Sequence, residues 1–321
     1  MHVSVASEWG ELKEAIVGTA DTLHVPVWTE EYEFSPPEEQ AFVSQFGGQL
    51  LATVAPERQE VIEAQLQCLA DTLQSIGIKV HRPRPLTDDE CQYLAHIRNC
   101  SQQLFPRDPI LVIGNHVIET AMRDPMERKC KFPLRDLFFQ QLKNYRYQYV
   151  AMPEPNPVIA HQGFGPGPFL EGGDTLLCDR QIFVGVSGHA SNQWGVEWLR
   201  AYLGDEYAVT VVPLCSGVLH LDCAMALLRP GLAIVCLEAF EQGLPEYFKD
   251  WQLIDVTLEQ ASYLACNGLV IDQERVIIGA EHEELIDRIT QAGQQVIPLP
   301  FDAVSQFGGA FRCAHHPIVR V

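Results

Sequence analysis

Basic residues are scarce in this sequence: 22 Lys and Arg stand against 42 Asp and Glu, a formal net charge of −20 at pH 7. A protein that tracks a phosphate backbone needs a basic footprint, so the balance argues against a nucleic-acid partner. Long apolar runs are missing too. No stretch reaches the roughly 18 residues that a membrane span requires, and no membrane association is expected. The N-terminus, MHVSVASEWGELKEAIVG, has no basic segment leading into an apolar one, so no signal peptide is read and a reducing cytoplasm is the expected compartment. Ten cysteines are present, but no CxxC pair occurs, which removes the paired-ligand signature of a zinc site. A disulfide framework belongs to short secreted chains, and this chain is long. Cys178 in LLCDR, Cys236 in AIVCL and Cys266 in YLACN lie inside apolar runs and read as small buried hydrophobes. The dinucleotide fingerprint is also missing. Its nearest match, GFGPGP at 163–168, carries two prolines and opens no helix.

What is present is globular: 47% hydrophobic and 20% charged residues over 321 positions. That length can bury a sizeable core, and no composition shift divides it, so residues 1–321 are read as a single domain. The acidity suits solubility, and it would also suit a cationic small molecule. Short Val/Ile/Leu runs recur in pairs separated by turns: ILVIG–NH–VIET (110–120), TLLC–DRQ–IFVGV (175–186), AMALL–RPG–LAIVCL (224–237) and GLVI–DQE–RVIIG (268–279). A further pair is expected between LKEAIVG near residue 12 and QVIPLP near 296.

Helical spacing runs through 57–77, with Val61, Leu66, Leu69, Leu73 and Ile76 on one face and Gly77 as the stop. Segments 134–145, 192–204 and 283–293 read as helices as well. Two stretches, 29–48 and the Pro/Gly-rich 151–168, read as irregular, the second as a lid or linker. Five units of strands plus helix predict an α/β fold closed with pseudo-symmetry, strands inside and helices outside; a doubly wound sheet is the competitor.

In a closed wheel the loops at one end converge, so distant loops can share a site. Four unusual loops, FPRDP (105–109), LEGGD (170–174), LHLD (219–222) and FGGAFRC (307–313), supply Asp108, Glu171, Asp174, His220, Asp222 and Cys313. A Cys with a His far away in sequence is a candidate nucleophilic pair. Each residue also has an ordinary reading: Asp108 and Asp174 as turn or cap residues, His220 as a satisfied half-buried histidine, Cys313 as one more core cysteine. Gly308 and Gly309 allow close backbone approach to Cys313, and the adjacent Arg312 is expected to favour its thiolate. Cys313 with His315 and His316 has no established metal-ligand geometry, and no metal is assigned.

Together FPRDP, LEGGD, LHLD and GGAFRC resemble the guanidino-group-modifying, or pentein, superfamily of amidinotransferases, arginine deiminases and dimethylarginine hydrolases. The resemblance spans nearly the whole chain. At the N-terminus, EWGELKEAIVGTAD (8–21), HRPRPL (81–86) and FPRDPILVIGNHVIETAM (105–122) are similar to arginine:glycine-type amidinotransferases. It implies a five-bladed α/β-propeller with Cys313 as nucleophile, His220 as general acid/base and Glu171 as the carboxylate of the triad. Asp108 and Asp222 would grip the guanidinium and Phe105 would pack on it, with Gly309 counted among the substrate-binding residues.

No metal or organic cofactor is implied. The partners implied are an arginine-like guanidine and an acceptor amine, and the oligomeric state is open, a homodimer included. Where those amidinotransferases carry Asp-Ala-Ala-Asp, this chain has Glu171-Gly172-Gly173-Asp174, which is closer to the deiminases and dimethylarginine hydrolases. The arginines that hold substrate carboxylate in the family have no counterpart in LEAFEQGLPEYF or GHASNQWG, which leaves Arg123 and Arg128 as candidates. The first expectation is amidino transfer from arginine to an amine. The second is deiminase-type hydrolysis to a ureido product and ammonia, and a third, of another class, is a silent binding module.

Overall fold

A computed structural model describes residues 1–28, 37–95, 103–124, 131–155 and 165–321. Its strands, in chain order, are β1 (Leu12–Val17), β2 (Lys79–His81), β3 (Ile110–Ile113), β4 (His116–Glu119), β5 (Gln148–Ala151), β6 (Thr175–Cys178), β7 (Gln181–Val186), β8 (Ala208–Pro213), β9 (Met225–Arg229), β10 (Leu232–Val235), β11 (Gln252–Asp255), β12 (Leu269–Val270), β13 (Arg275–Gly279), β14 (Gln295–Leu299) and β15 (His315–Arg320). They form five three-stranded sheets. In four of them the first two strands make an antiparallel hairpin and the third joins the second in parallel.

The fifth sheet, β15-β1-β2, keeps that pattern with the chain cut inside its hairpin: β15 is antiparallel to β1, and β1 is parallel to β2. This corrects one expected pairing. QVIPL is the third strand of its own sheet, parallel to β13, and β1 pairs instead with HHPIVR, Ile16 opposite His316. HHPIVR opens on two histidines and a proline, so its composition conceals a strand whose partner lies some 300 residues earlier.

A parallel partner requires a crossover, and the crossovers carry the principal helices. Pro56–Ser75 lies between β1 and β2, Gln193–Leu203 between β7 and β8, and Glu283–Gln291 between β13 and β14. The face of the first helix differs by one residue from the expected one. Ile62, Leu66, Leu69 and Leu73 are buried, whereas Val61 is 49% exposed. Steps of four, three and four residues keep the former set on one stripe. The expected helix at 134–145 starts at Phe132, widens into a π-turn over Leu137–Gln141 and ends there. Residues 37–46, expected to be irregular, are helical, while 29–36 and 156–164 of the two irregular stretches lie outside the described residues.

Strands β3, β6 and β12 are buried throughout and β9 and β15 nearly so; the third strands β2, β5, β8, β11 and β14 are half exposed. The first strand of each unit therefore lies innermost. Apolar side chains between neighbouring sheets form three large core clusters. Among the described residues no helix is long and apolar enough to cross a membrane.

Candidate active site

Each innermost strand is entered from a short segment bearing a polar, buried side chain: Asp108 before β3, Asp174 before β6, Asp222 before β9, Asn267 before β12 and Cys313 before β15. Repetition of one unit brings these five entries together. The loops named in the sequence supply four of them, and Asn267 is the fifth.

His220 sits at the cap of the single turn Leu221–Ala224. Its Nε2 is 2.8 Å from Glu171 Oε2, and its Nδ1 is 3.9 Å from Asp108 Oδ1. Backbone groups hold both carboxylates: Gly173 N donates to Asp108 Oδ1 at 2.7 Å and Arg123 N to Glu171 Oε1 at 2.8 Å. Gly173 has to be glycine here, because a Cβ would lie 2.6 Å from His220 Nδ1 and 2.8 Å from Asp108 Oδ1. Asp174 does more than close its own turn. It accepts from Ser191 N at 3.0 Å and Leu221 N at 3.1 Å, and so ties the Glu171 loop to the His220 loop.

On the other side, Cys313 Sγ is 3.6 Å from Asp222 Oδ2, and Cys223 Sγ is 3.7 Å from Asp222 Oδ1. Asn267 fastens the cysteine loop: its Oδ1 accepts from Cys313 N at 3.2 Å and Ala310 N at 3.1 Å, and its Nδ2 donates to the Asp222 carbonyl at 3.3 Å. Gly309 lets the loop close on Phe105, since a Cβ there would be 2.8 Å from Cys313 Cβ and 2.8 Å from the Phe105 Cε1 and Cζ atoms. Phe105 is half-buried. The seven expected site residues therefore fall into two groups, Glu171–His220–Asp108 and Asp222–Cys313–Gly309–Phe105, near enough for the Asp222 charge to act on Asp108 and that of Asp108 on Cys313.

The charges in this network decide the resting proton states. Burial would discharge the His220 imidazole, but Asp108, Asp174 and Glu171 outweigh it and hold its pKa well above the ordinary value. Burial raises the Asp108 carboxyl; His220 opposes the rise, Asp222 and Glu171 add to it, and the result is about 6. Burial likewise lifts Asp174 to about 7 against the pull of His220 and its bonds to Ser191.

Burial and then the Asp222 and Asp108 carboxylates push the Cys313 thiol well up. This corrects the expected effect of Arg312. Its guanidinium is turned to Glu8 and Asp222, leaving carboxylates as the dominant charges at the sulfur. At neutral pH the resting site is an imidazolium with a thiol, facing carboxylates: suited to a cation, and with a proton ready to give.

Asp108, Glu171 and His220 are the one group among the described residues whose ligand atoms lie close enough, within 4.8 Å, to share a metal ion. A protonated imidazole is a donor and no ligand, so this arrangement fits acid/base work better. His315 is committed elsewhere, its Nδ1 to the Phe311 carbonyl at 2.8 Å and its Nε2 to Arg107 at 3.2 Å. Of the two candidate carboxylate anchors, Arg123 directs its guanidinium to the Gly188 carbonyl, and Arg128 lies outside the described residues. Besides Asn267, sequence reasoning missed Arg107, which bonds the Arg312 carbonyl under the cysteine loop, and Glu8. The position of Asn267 two residues before an apolar strand was the available signal.

Comparisons with known proteins bear on the family and the fold. The family model for N,N dimethylarginine dimethylhydrolase, eukaryotic, matches residues 38–320. The L-arginine:L-lysine amidinotransferase of Pseudomonas savastanoi pv. phaseolicola is 24% identical over 340 residues, covering 96% of this chain and 91% of its own. An amidinotransferase of the saxitoxin biosynthetic pathway from Microseira wollei superposes with a TM-score of 0.83 at 26% identity, over 99% of this chain and 97% of that one. A dimethylarginine hydrolase structure from Pseudomonas aeruginosa in complex with citrulline, 17% identical, shares the fold at a TM-score of 0.68 over 96% of this chain and 99% of its own. The five small sheets are those of the pentein propeller. Through that match over most of its length the chain belongs to the family described as N,N dimethylarginine dimethylhydrolase, eukaryotic, and it is a guanidino-group-modifying enzyme of the pentein class.

Proposed function

We propose that this enzyme is an amidinotransferase, carrying the amidino group of arginine or a related guanidine to an acceptor amine by way of Cys313. The observation that carries the reading is the Cys313 sulfur 3.6 Å from one carboxylate, Asp222, with a second, Asp108, 3.9 Å from a histidine already paired to Glu171. A guanidinium is planar and edged with N–H donors, so two carboxylates can hold it and present its carbon to the sulfur. The bound cation also offsets the negative charge that keeps the thiol protonated. The thiol proton passes to bulk water as the cation binds and returns after product leaves, so the thiolate forms where it is needed while His220 keeps its own proton.

Attack forms a C–S bond and a tetrahedral adduct. The His220 imidazolium then gives its proton to the departing nitrogen, the C–N bond breaks, and ornithine leaves when the donor is arginine. An amidino group remains on Cys313. The acceptor amine adds to that carbon and loses a proton to His220, and collapse of the second adduct releases the new guanidine and the thiolate. Full-length similarity to amidinotransferases supports transfer over hydrolysis.

The match to a hydrolase family model, together with Glu171 in a Glu-Gly-Gly-Asp loop, favours a second reading. There the broken bond is to a terminal nitrogen, water is the second nucleophile, and a ureido product forms with ammonia or an alkylamine. Incubation with arginine separates the two. Ornithine that appears only with an added amine supports transfer; citrulline and ammonia from arginine alone support hydrolysis and overturn it.

A further inference from the structure

The N-terminal Glu8 of the EWGELKEAIVG segment takes no part in the chemistry above, yet it reaches the site. Its carboxylate accepts twice from the Arg312 guanidinium, from Nε at 3.1 Å and from Nη2 at 3.0 Å. The other arm of that guanidinium donates from Nη1 to Asp222 Oδ2 at 2.9 Å, the same oxygen that faces Cys313 Sγ. Nη2 also donates to the Thr175 carbonyl at 2.7 Å, at the mouth of β6. Glu8 is itself pinned to β6, with its N–H on the Leu177 carbonyl at 3.0 Å and its carboxylate accepting from Leu177 N at 3.2 Å. The side chains of Arg312, Glu8 and Asp222 are 4%, 11% and 0% exposed, so water screens this chain of charges very little.

We propose that Glu8 is a positioning residue of the active site: through Arg312 it fixes the rotamer and the charge of Asp222, the carboxylate that holds the substrate guanidinium beside Cys313. The inference rests on that reading of Asp222. A bidentate guanidinium–carboxylate pair has a fixed plane, so the Glu8 end dictates where Nη1 points at the Asp222 end. Arg312 alone would cancel the charge of Asp222. Glu8 cancels that of Arg312 in turn and leaves the triad with a net negative charge for a cationic substrate. A segment at the start of the chain thereby completes a site assembled from loops that begin nearly a hundred residues away.

The test is Glu8→Gln, which keeps an acceptor and removes the charge. The readouts are the pH profile of iodoacetamide alkylation at Cys313, followed by peptide mass spectrometry, and the kinetics with arginine. An unbalanced Arg312 cation is expected to shift the alkylation midpoint down by about one pH unit and to raise KM about tenfold, with kcat changed far less. A purely structural salt bridge would leave that midpoint unmoved.

Should Glu8→Gln fail to fold, Glu8→Gln/Arg312→Met removes both charges at once, a replacement buried ion pairs often tolerate. It is expected to give near-wild-type alkylation with a raised KM, because Asp222 is no longer held. Unchanged alkylation and KM in Glu8→Gln, or an unchanged KM in the double variant, overturns the proposal. Alkylation needs no turnover, so a wild-type enzyme that converts neither arginine nor a related guanidine would sink the functional reading and still leave Glu8 to be judged.

Discussion

Cys313 Sγ lies 3.6 Å from Asp222 Oδ2, so the proposed nucleophile faces a carboxylate, the opposite of the cationic surroundings that activate most reactive cysteines. The thiol is accordingly raised in the free enzyme, and a bound guanidinium reverses the balance. Alkylation of Cys313 by a neutral reagent should therefore be slow at pH 7, and Asp222→Asn should accelerate it while raising KM for guanidines about tenfold or more. Peptide mapping after iodoacetamide, together with steady-state kinetics, checks both halves. Faster substrate binding in Asp222→Asn would remove this carboxylate from the guanidinium site.

In the proposed reaction Asp108 is expected to set the acidic limit. Its carboxyl titrates at about 6 in the free enzyme, so it is charged above that pH and neutral below it. The guanidinium requires the charged form, and kcat/KM should fall as pH drops through 6. At the alkaline end the loss of the His220 proton, at a pKa well above the ordinary value, should close the profile. In Asp108→Asn the acid limb near pH 6 should vanish along with most of the affinity. Persistence of the same limb would assign it to another group.

Glu171 orients His220 and helps to keep it charged through the 2.8 Å contact. Glu171→Gln retains the shape and loses the charge, and a fall in kcat of about 10²–10⁴-fold is expected, as for other carboxylates behind a catalytic histidine. The alkaline limb should move to lower pH in the same variant. A change in KM alone would make Glu171 a binding residue.

Gly309→Ala tests the packing of the loop against Cys313. The new Cβ would sit 2.8 Å from Cys313 Cβ and from the Phe105 ring, and one of them has to move. A displacement of about 1 Å at the reacting atom can cost about 100-fold in rate. That loss, with thermal stability nearly unchanged, is the expected result. Full activity would show that the loop has slack.

Much of this was legible in the sequence, for identifiable reasons. Four hairpins announce themselves as paired apolar runs because both strands of each are local. The fifth could not, since its strands are the two ends of the chain and one of them reads HHPIVR. Asp108, Glu171, His220, Asp222 and Cys313 stand out because polar residues interrupt apolar strand entries. Asn267 occupies the same kind of position but has no reactive chemistry to draw attention to it. Arg312 misleads for another reason: adjacency to Cys313 in sequence says nothing about direction, and its guanidinium points to Glu8 and Asp222. Side-chain direction at a turn is set by tertiary partners, and no spacing rule reports it.

Rapid acid quenching of the enzyme with arginine, followed by peptide mass spectrometry, tests directly for the proposed covalent intermediate. The expected result is an amidino group on the peptide containing Cys313, formed before product and lost on addition of an amine, with neither adduct nor turnover in Cys313→Ala. Undiminished turnover by Cys313→Ala, or an adduct confined to another residue, would contradict it.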